Sequence, residues 1–213
     1  LDIMQENQNL LDVTALIIQR LKQVIDELKP DWLLVQGDTT TTFVSSLSGF
    51  YSGIKVAHVE AGLRTWNKKE PFPEEINRVL TSHIADVHFA PTAAAKDNLV
   101  SEGIKPDSIW VTGNTVVDAL QMILNRINEK AVSSVFEFIN NDKKVILVTG
   151  HRRESFGKKL QNICAALKEI ARNHSDVEIV YPVHLNPNVW KPVHEILGNT
   201  RNIHLIEPLD YLT

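Results

Sequence analysis

Residues 30–38 have the sequence Pro30-Asp31-Trp32-Leu33-Leu34-Val35-Gln36-Gly37-Asp38. The proline ends any helix before it, because proline lacks an amide hydrogen and its ring clashes with the preceding turn. The apolar run from Trp32 to Val35 does not alternate with polar residues, so it predicts a strand buried on both faces. Gly37 closes this strand, and a polar loop begins at Asp38.

The same kind of pattern extends outward from this strand. Before it, apolar residues at three- and four-residue spacing predict a helix from Leu10 to Leu28. After it, predicted helices and strands alternate, which is typical of an α/β fold with right-handed crossovers and parallel sheets. The helices are predicted at 40–52, 73–84, 92–102, 115–128, 156–172 and 187–197, and the strands at 55–59, 86–89, 108–112, 145–148, 177–182 and 203–206.

Seven predicted strands fit either one sheet or two smaller ones. Residues 129–143 are polar and mixed, and Asn140-Asn141-Asp142 is typical of a turn. We therefore favour two sheets, with the break between Gly113 and Lys143.

Composition limits the classes of partner. The chain has 213 residues, 43% of them hydrophobic and 23% charged, as in soluble globular proteins. The net charge of −4, with scattered Lys and Arg, argues against nucleic acid as a partner. No apolar run approaches the roughly 20 residues that cross a bilayer, so no membrane association is expected. The single cysteine, Cys164, favours a cytoplasmic location, although the first residue is Leu1 and leaves a lost leader open.

Titratable residues follow several predicted strands at their carboxyl ends, where ligands bind in parallel sheets. Asp38 follows the first strand, Glu60 follows the second, and His151 and Arg152 follow the strand at 145–148. A further loop leads through Glu74 into a helix. Carboxylates together with a histidine and arginines suit acid–base chemistry on an anionic ligand.

Each carboxylate also has a purely structural interpretation. Asp38 and the threonines after it are residues that cap helices. Glu74 and Arg78 are four residues apart, as in a surface ion pair, and Glu60 is an acid that backbone amides can satisfy. Caps alone do not explain so many acids at corresponding strand ends, which favours a site.

Two histidines follow strands in the second half of the chain. If Ser155 caps the next helix, the loop with His151 and Arg152 enters a helix start that attracts phosphate. The alternative is a solvated basic loop. His184 lies after the strand at 177–182 and is a second candidate for a ligand-binding histidine. The alternative is a loop histidine that is hydrogen-bonded to the backbone.

No cofactor or metal is expected. Cys164 falls on the apolar stripe of a predicted helix, so it is expected to be a buried packing residue. The eight histidines lack the spacing of zinc ligands. No Gly-x-Gly-x-x-Gly follows a strand, which argues against a nicotinamide cofactor.

Six motifs together resemble the bacterial non-hydrolysing UDP-N-acetylglucosamine 2-epimerases. They occur in the family's order at residues 36–42, 58–65, 71–78, 112–120, 148–155 and 181–189. The resemblance implies two Rossmann-like domains facing a cleft, the GT-B arrangement, with the boundary near Gly113 and Asn114. The domains are then 1–113 and 114–213, both incomplete. The family opens with a Gly-Thr-Arg-Pro-Glu loop and later has an Asp-Ser-Gly-Gly segment, neither of which this sequence contains, so we expect the 213 residues alone to be inactive.

The resemblance also implies a reaction. The family inverts C2 and interconverts UDP-GlcNAc and UDP-ManNAc for bacterial surface polysaccharides. UDP is eliminated to give 2-acetamidoglucal and is then added back. The resemblance makes Asp38, Glu60 and Glu74 the catalytic acids, with His151 stabilising the departing UDP.

The same resemblance extends to binding and assembly. Asp38, Glu60, His151 and Arg152 are expected to contact substrate. UDP-GlcNAc is also an allosteric activator in bacterial members, for which Arg152 and His184 are the candidate contacts. A homodimer is expected. Two alternatives stay open: a glycosyltransferase or hydrolysing epimerase of the same architecture, and a nucleotide-sugar binding module without catalysis.

Overall fold

The computed structural model describes residues 1, 3, 8–126, 136–140, 142–150 and 155–210. They form two compact units, Leu1–Ala119 and Leu120–Thr213. The strands of each unit form a separate sheet, and all strand pairs are parallel. The prediction of an α/β fold with two parallel, Rossmann-like sheets is therefore confirmed. The domain boundary inferred from the resemblance stays a prediction.

The first unit contains four strands in the order β1-β2-β3-β4. Its elements are α1 (Leu10–Leu28), β1 (Trp32–Gln36), α2 (Thr40–Tyr51), β2 (Lys55–Val59), α3 (Glu74–Ile84), β3 (Val87–Ala90), α4 (Ala93–Ser101), a 3-10 turn (Pro106–Ser108) and β4 (Ile109–Val111). Helix α5 (Thr115–Leu124) follows β4.

The second unit has three strands in the order β5-β6-β7. Its elements are β5 (Lys144–Leu147), α6 (Lys158–Asn173), β6 (Val177–Pro182), α7 (Pro187–Leu197) and β7 (Ile203–Ile206). The central strand β6 is almost wholly buried, and Cys164 lies fully buried in the same core. This position confirms the prediction that Cys164 packs in the core, and burial raises the pKa of its thiol. No described helix has both the length and the apolar character that crossing a membrane requires.

Local sequence explains where α1 begins and ends. The Asn9 side chain accepts a hydrogen bond from the Asp12 amide, as an N-cap residue does. The last helical residue is Leu28, and Lys29 adopts the left-handed conformation at φ 43° while its amide bonds to the Ile25 carbonyl. Pro30 comes next and cannot continue the helix, so the predicted helix end is confirmed.

Two predictions about local structure are wrong. Strand β1 is not buried on both faces: Val35 is buried, but Leu34 is 66% exposed. Helix α2 covers one face, with Gly49 close against Leu33, and no described element covers the other. Ser155 does not cap α6, because that helix begins after Gly157 and has no side-chain cap.

Candidate active site

The candidate site lies beyond the carboxyl ends of β1 and β2. These strands pair in parallel, with Gln36 opposite Val59, so the loops that follow them begin side by side. The Gly37 amide donates to the Val59 carbonyl at 2.9 Å and extends the ladder by one residue. Asp38 on one loop and Glu60 on the other are thereby fixed as neighbours.

Glu60 has an unusual backbone conformation. Its φ is 66°, in the left-handed region that residues with a side chain seldom adopt. Hydrogen bonds on both sides hold it there: Gly37 is bonded to Val59, and the Ala61 amide donates to the Phe89 carbonyl at 3.0 Å. Such local strain occurs where the surrounding structure fixes it, often at functional sites.

The Glu60 carboxylate has a defined orientation. Asn114 Nδ2 donates to Glu60 Oε1 at 3.0 Å. Glu60 Oε2 points at Gly37, 3.5 Å from where a Cβ atom would sit. One carboxylate oxygen is therefore held by an amide, and the other faces the loop that leads to Asp38.

The surroundings of Asp38 disfavour its ionised form. Burial raises the pKa of Asp38, the charge of Arg78 opposes this, and the charges of Glu74 and Glu60 raise it further. The net effect is an increase above the usual 3.8. Glu60 Oε2 lies beside Gly37, the residue before Asp38, and α3, which begins at Glu74, is tied to Asp38 through Arg78. Asp38 is not the cap of α2, since Thr39 fills that role.

Glu74 is the first residue of α3 and is partly buried. A carboxylate in the first turn of a helix is stabilised by the free amides and the helix dipole. The proposed surface pair with Arg78 is wrong. Arg78 is buried, and its ion pairs are with Asp38 and Glu75.

Glu75 anchors the loop after β2, a role that the sequence did not reveal. It is 3% exposed and accepts hydrogen bonds from the amides of Thr65 and Trp66 and from Arg78. Burial alone would raise the pKa of Glu75, but these hydrogen bonds and the charge of Arg78 lower it overall. Glu75 is therefore a buried carboxylate that holds the loop after β2 and the Arg78 side chain in place.

His58 supports the same site from the sheet. It is fully buried, and its Nε2–H donates to the Gly37 carbonyl at 2.8 Å. Burial lowers the pKa of His58 to about 4, against the opposing effect of that hydrogen bond. The imidazole is therefore neutral near neutral pH and fixes the peptide that precedes Asp38.

The other predicted site residues belong to the second half of the chain. His151 and Arg152 lie outside the described residues. His184 is exposed, and its Nδ1 accepts a hydrogen bond from the Asn186 amide at 3.0 Å. This is the backbone-bonded arrangement named as the alternative for His184, and it leaves the effector role a prediction. Within the described ranges, no group of three or more His, Cys, Asp or Glu residues is arranged to hold a metal ion.

The fold and the three carboxylates define a parallel α/β protein with acidic side chains grouped beyond the carboxyl ends of its strands. The sequence matches the family described as UDP-N-acetylglucosamine 2-epimerase over residues 1–213. The chain belongs to this family.

Several relatives can be compared directly. The UDP-N-acetylglucosamine 2-epimerase of Escherichia coli K12 is 51% identical over 217 residues, which cover 100% of this chain and 58% of that protein. The UDP-GlcNAc 2-epimerase of Neisseria meningitidis bound to UDP-GlcNAc superposes with a TM-score of 0.96 at 48% identity, covering 99% of this chain and 58% of that one. The Methanocaldococcus jannaschii enzyme in complex with UDP-GlcNAc and UDP gives a TM-score of 0.81 at 34% identity, covering 97% and 57%. The chain thus spans a little over half the length of these relatives.

Proposed function

We propose that the full-length gene product containing this chain is a non-hydrolysing UDP-N-acetylglucosamine 2-epimerase that interconverts UDP-GlcNAc and UDP-ManNAc. The observation that carries the proposal is the placement of Asp38 and Glu60 on the adjacent loops after β1 and β2, with α3, which begins at Glu74, tied to Asp38 through Arg78. The family membership supplies the substrate, since solved relatives hold UDP-GlcNAc.

The proposed reaction uses carboxylates in two ways, to stabilise positive charge and to transfer protons. The proton at C2 of the sugar is not acidic, so cleavage of the C1–O bond must lead, with the electron pair leaving on UDP. Positive character develops at C1, and nearby carboxylates stabilise it. A carboxylate then takes the C2 proton, and the electrons of the C–H bond form the C1=C2 double bond of 2-acetamidoglucal.

The return step inverts C2. UDP adds back to C1, and a proton is delivered to C2 from the opposite face of the ring. This needs a second protonated group on that face, which is general acid catalysis. Asp38 suits proton exchange because its raised pKa brings its titration closer to neutral pH. Glu60 and Glu74 supply the other two carboxylates of the set.

The second half of the chain supplies the diphosphate contacts in this proposal. His151 stabilises the departing UDP, and Arg152 pairs with its phosphates, since Arg binds phosphate through two parallel hydrogen bonds. Arg152 and His184 are the contacts for UDP-GlcNAc acting as an activator. The protein is proposed to act as a cytoplasmic homodimer with domains at 1–113 and 114–213, in the synthesis of surface polysaccharide.

Product analysis tests the proposed reaction. The full-length gene product is incubated with UDP-GlcNAc, and the products are separated by anion exchange and identified by their anomeric NMR signals. We expect UDP-ManNAc, with sugar and nucleotide still joined. Free ManNAc would instead establish a hydrolysing epimerase, and binding without turnover would establish a nucleotide-sugar binding module.

Glu60→Gln and Glu74→Gln are the informative variants in this assay, since each keeps the side-chain shape but cannot exchange a proton. We expect each to lose at least about a hundredfold in kcat, the lower bound for a general acid or base. Glu27→Gln is the matched control, because Glu27 is exposed on α1. Equal activity of all three variants would contradict the assignment.

A further inference from the structure

Asn114 makes two kinds of hydrogen bond at the start of α5. Its Oδ1 accepts from the Val116 amide at 3.1 Å, and its backbone carbonyl accepts from the Val117 amide at 3.0 Å. These contacts are those of a residue that caps a helix. Its Nδ2 donates to Glu60 Oε1 at 3.0 Å.

The orientation of this amide is fixed by its partners. The Val116 amide can only donate, so the atom that faces it must be the oxygen of Asn114. The Glu60 carboxylate accepts when ionised, so the atom that faces it must be the nitrogen. Any rotation of the amide by 180° would lose both contacts, and the start of α5 therefore keeps the donor aimed at Glu60.

Glu60 depends on this contact. Within the described part of the chain, Asn114 supplies the side-chain hydrogen bond to this carboxylate. The buried Glu75 nearby is bonded to the cation Arg78, whereas Asn114 is a neutral donor. It fixes the direction of the Glu60 carboxylate without adding a positive charge, and Oε2 lies beside Gly37, 3.5 Å from where a Cβ atom would sit.

We propose that Asn114 is a positioning residue for the reaction: its cap contact with α5 aims the side-chain amide at Glu60 and sets the direction of Oε2 toward the sugar. The inference rests on the proposed function, in which Glu60 is one of the reacting carboxylates. Asn114 contacts Oε1, whereas Oε2 is the oxygen that the proposal directs toward the sugar.

Asn114→Asp in the full-length gene product separates this role from helix capping. Aspartate caps a helix as well as asparagine, so the contact with Val116 is kept. The donor facing Glu60 becomes a second carboxylate, and two adjacent carboxylates share a proton. We expect kcat to fall at least about tenfold, KM to change less than about threefold, and the acid limb of the pH profile to move to higher pH.

Two further variants complete the activity measurement. Asn114→Ser keeps a capping oxygen but cannot reach Glu60, so we expect a loss in kcat with no shift of the acid limb. Asn9→Asp is the matched control, because Asn9 also caps a helix beside a carboxylate, Asp12, but is exposed on α1. It is expected to leave kcat unchanged. An unchanged kcat and pH profile in Asn114→Asp would overturn the inference, and no activity in the unaltered protein would overturn the proposed function together with it.

A stability measurement tests the contact without activity. The double variant Asn114→Asp/Glu60→Gln exchanges donor and acceptor, so the amide introduced at position 60 can donate to the carboxylate introduced at position 114. We expect Tm at about pH 7 to fall in Asn114→Asp, where two like charges meet, and to recover in the double variant. A double variant that is no more stable than Asn114→Asp would overturn the inference.

Discussion

Arg78 Nη1 lies 3.3 Å from Asp38 Oδ2, so one guanidinium joins helix α3 to the loop that follows β1. The same guanidinium is paired with the buried Glu75, which in turn holds the amides of Thr65 and Trp66. The loops after β1 and β2 are therefore tied to α3 by one chain of charged contacts. Because Arg78 and Glu75 are both buried, removal of Arg78 leaves the charge of Glu75 without its cation.

Arg78→Met tests this link. We expect a loss of about 3 kcal/mol or more in the free energy of unfolding, because Glu75 is left buried without its cation. Urea unfolding monitored by circular dichroism measures the loss. Arg20→Met is the control, since Arg20 is exposed on α1. An equal loss in the free energy of unfolding for the two substitutions would contradict a stabilising role for the buried Arg78–Glu75 pair.

Asp38→Asn should separate stability from activity. Burial, with the charges of Glu74 and Glu60, raises the pKa of Asp38 despite Arg78, so folding disfavours the ionised carboxylate. This cost is absent below pH 3.8, appears as pH rises above that value, and is complete above the raised pKa. At about pH 7 this substitution in the full-length gene product is expected to leave the protein at least as stable as the unaltered one but to abolish the proposed epimerase activity.

Urea unfolding at about pH 7 and about pH 3, together with an activity assay, checks that prediction. Near pH 3 the stabilities of the two chains should converge, because the native carboxylate is then protonated. A variant that is markedly less stable at neutral pH, or fully active, would contradict the role given to Asp38.

Glu178 should make the second unit acid-sensitive. Hydrogen bonds from Lys143 and then His204 lower the pKa of this carboxyl below its usual 4.5. The stabilisation is present above pH 4.5 and is lost as pH falls through the lowered pKa. Hydrogen exchange of the β6 amides between about pH 6 and pH 3 should show this loss, and Glu178→Gln should remove it. Glu195→Gln, at an exposed position on α7, should keep the native pH dependence.

A comparison of Gly62 with Gly103 tests how closely the backbone at residue 62 packs against α4. Both have positive φ, 89° and 88°, but a Cβ atom at residue 62 would lie 2.1 Å from the Ala95 carbonyl oxygen, whereas residue 103 has open space around it. Gly103→Ala should cost about 1 kcal/mol for the backbone conformation alone. Gly62→Ala should cost at least about 1–3 kcal/mol more, because the clash is with backbone. Equal losses in thermal unfolding would show that the close approach is not maintained in solution.

Sequence patterns were sufficient to predict that Asp38 and Glu60 lie on adjacent loops. Asp38 and Glu60 each follow an apolar run, and parallel strands place their carboxyl ends at one edge of a sheet. The supporting residues were not predictable in this way. Asn114 meets Glu60 across 54 positions, and Arg78 meets Asp38 across 40, so their roles depend on where α3 and α5 lie in three dimensions.

The burial of β1 shows that the pattern of apolar residues does not predict how many faces of a strand are covered. The apolar run at Leu33, Leu34 and Val35 correctly indicated a strand. It did not indicate how many faces are covered, because coverage depends on other elements. In the described structure Val35 is buried and Leu34 is exposed, which local sequence alone does not distinguish.

Proton NMR of UDP-GlcNAc in deuterated water, with the full-length gene product, observes the proposed proton transfer itself. If the carboxylates at Asp38, Glu60 and Glu74 remove and return the C2 proton, deuterium appears at C2 together with the anomeric signal of UDP-ManNAc. Glu60→Gln and Glu74→Gln should then lose the exchange. A sugar nucleotide that keeps its C2 proton, with or without hydrolysis to free UDP, would contradict the assignment of these carboxylates to proton transfer.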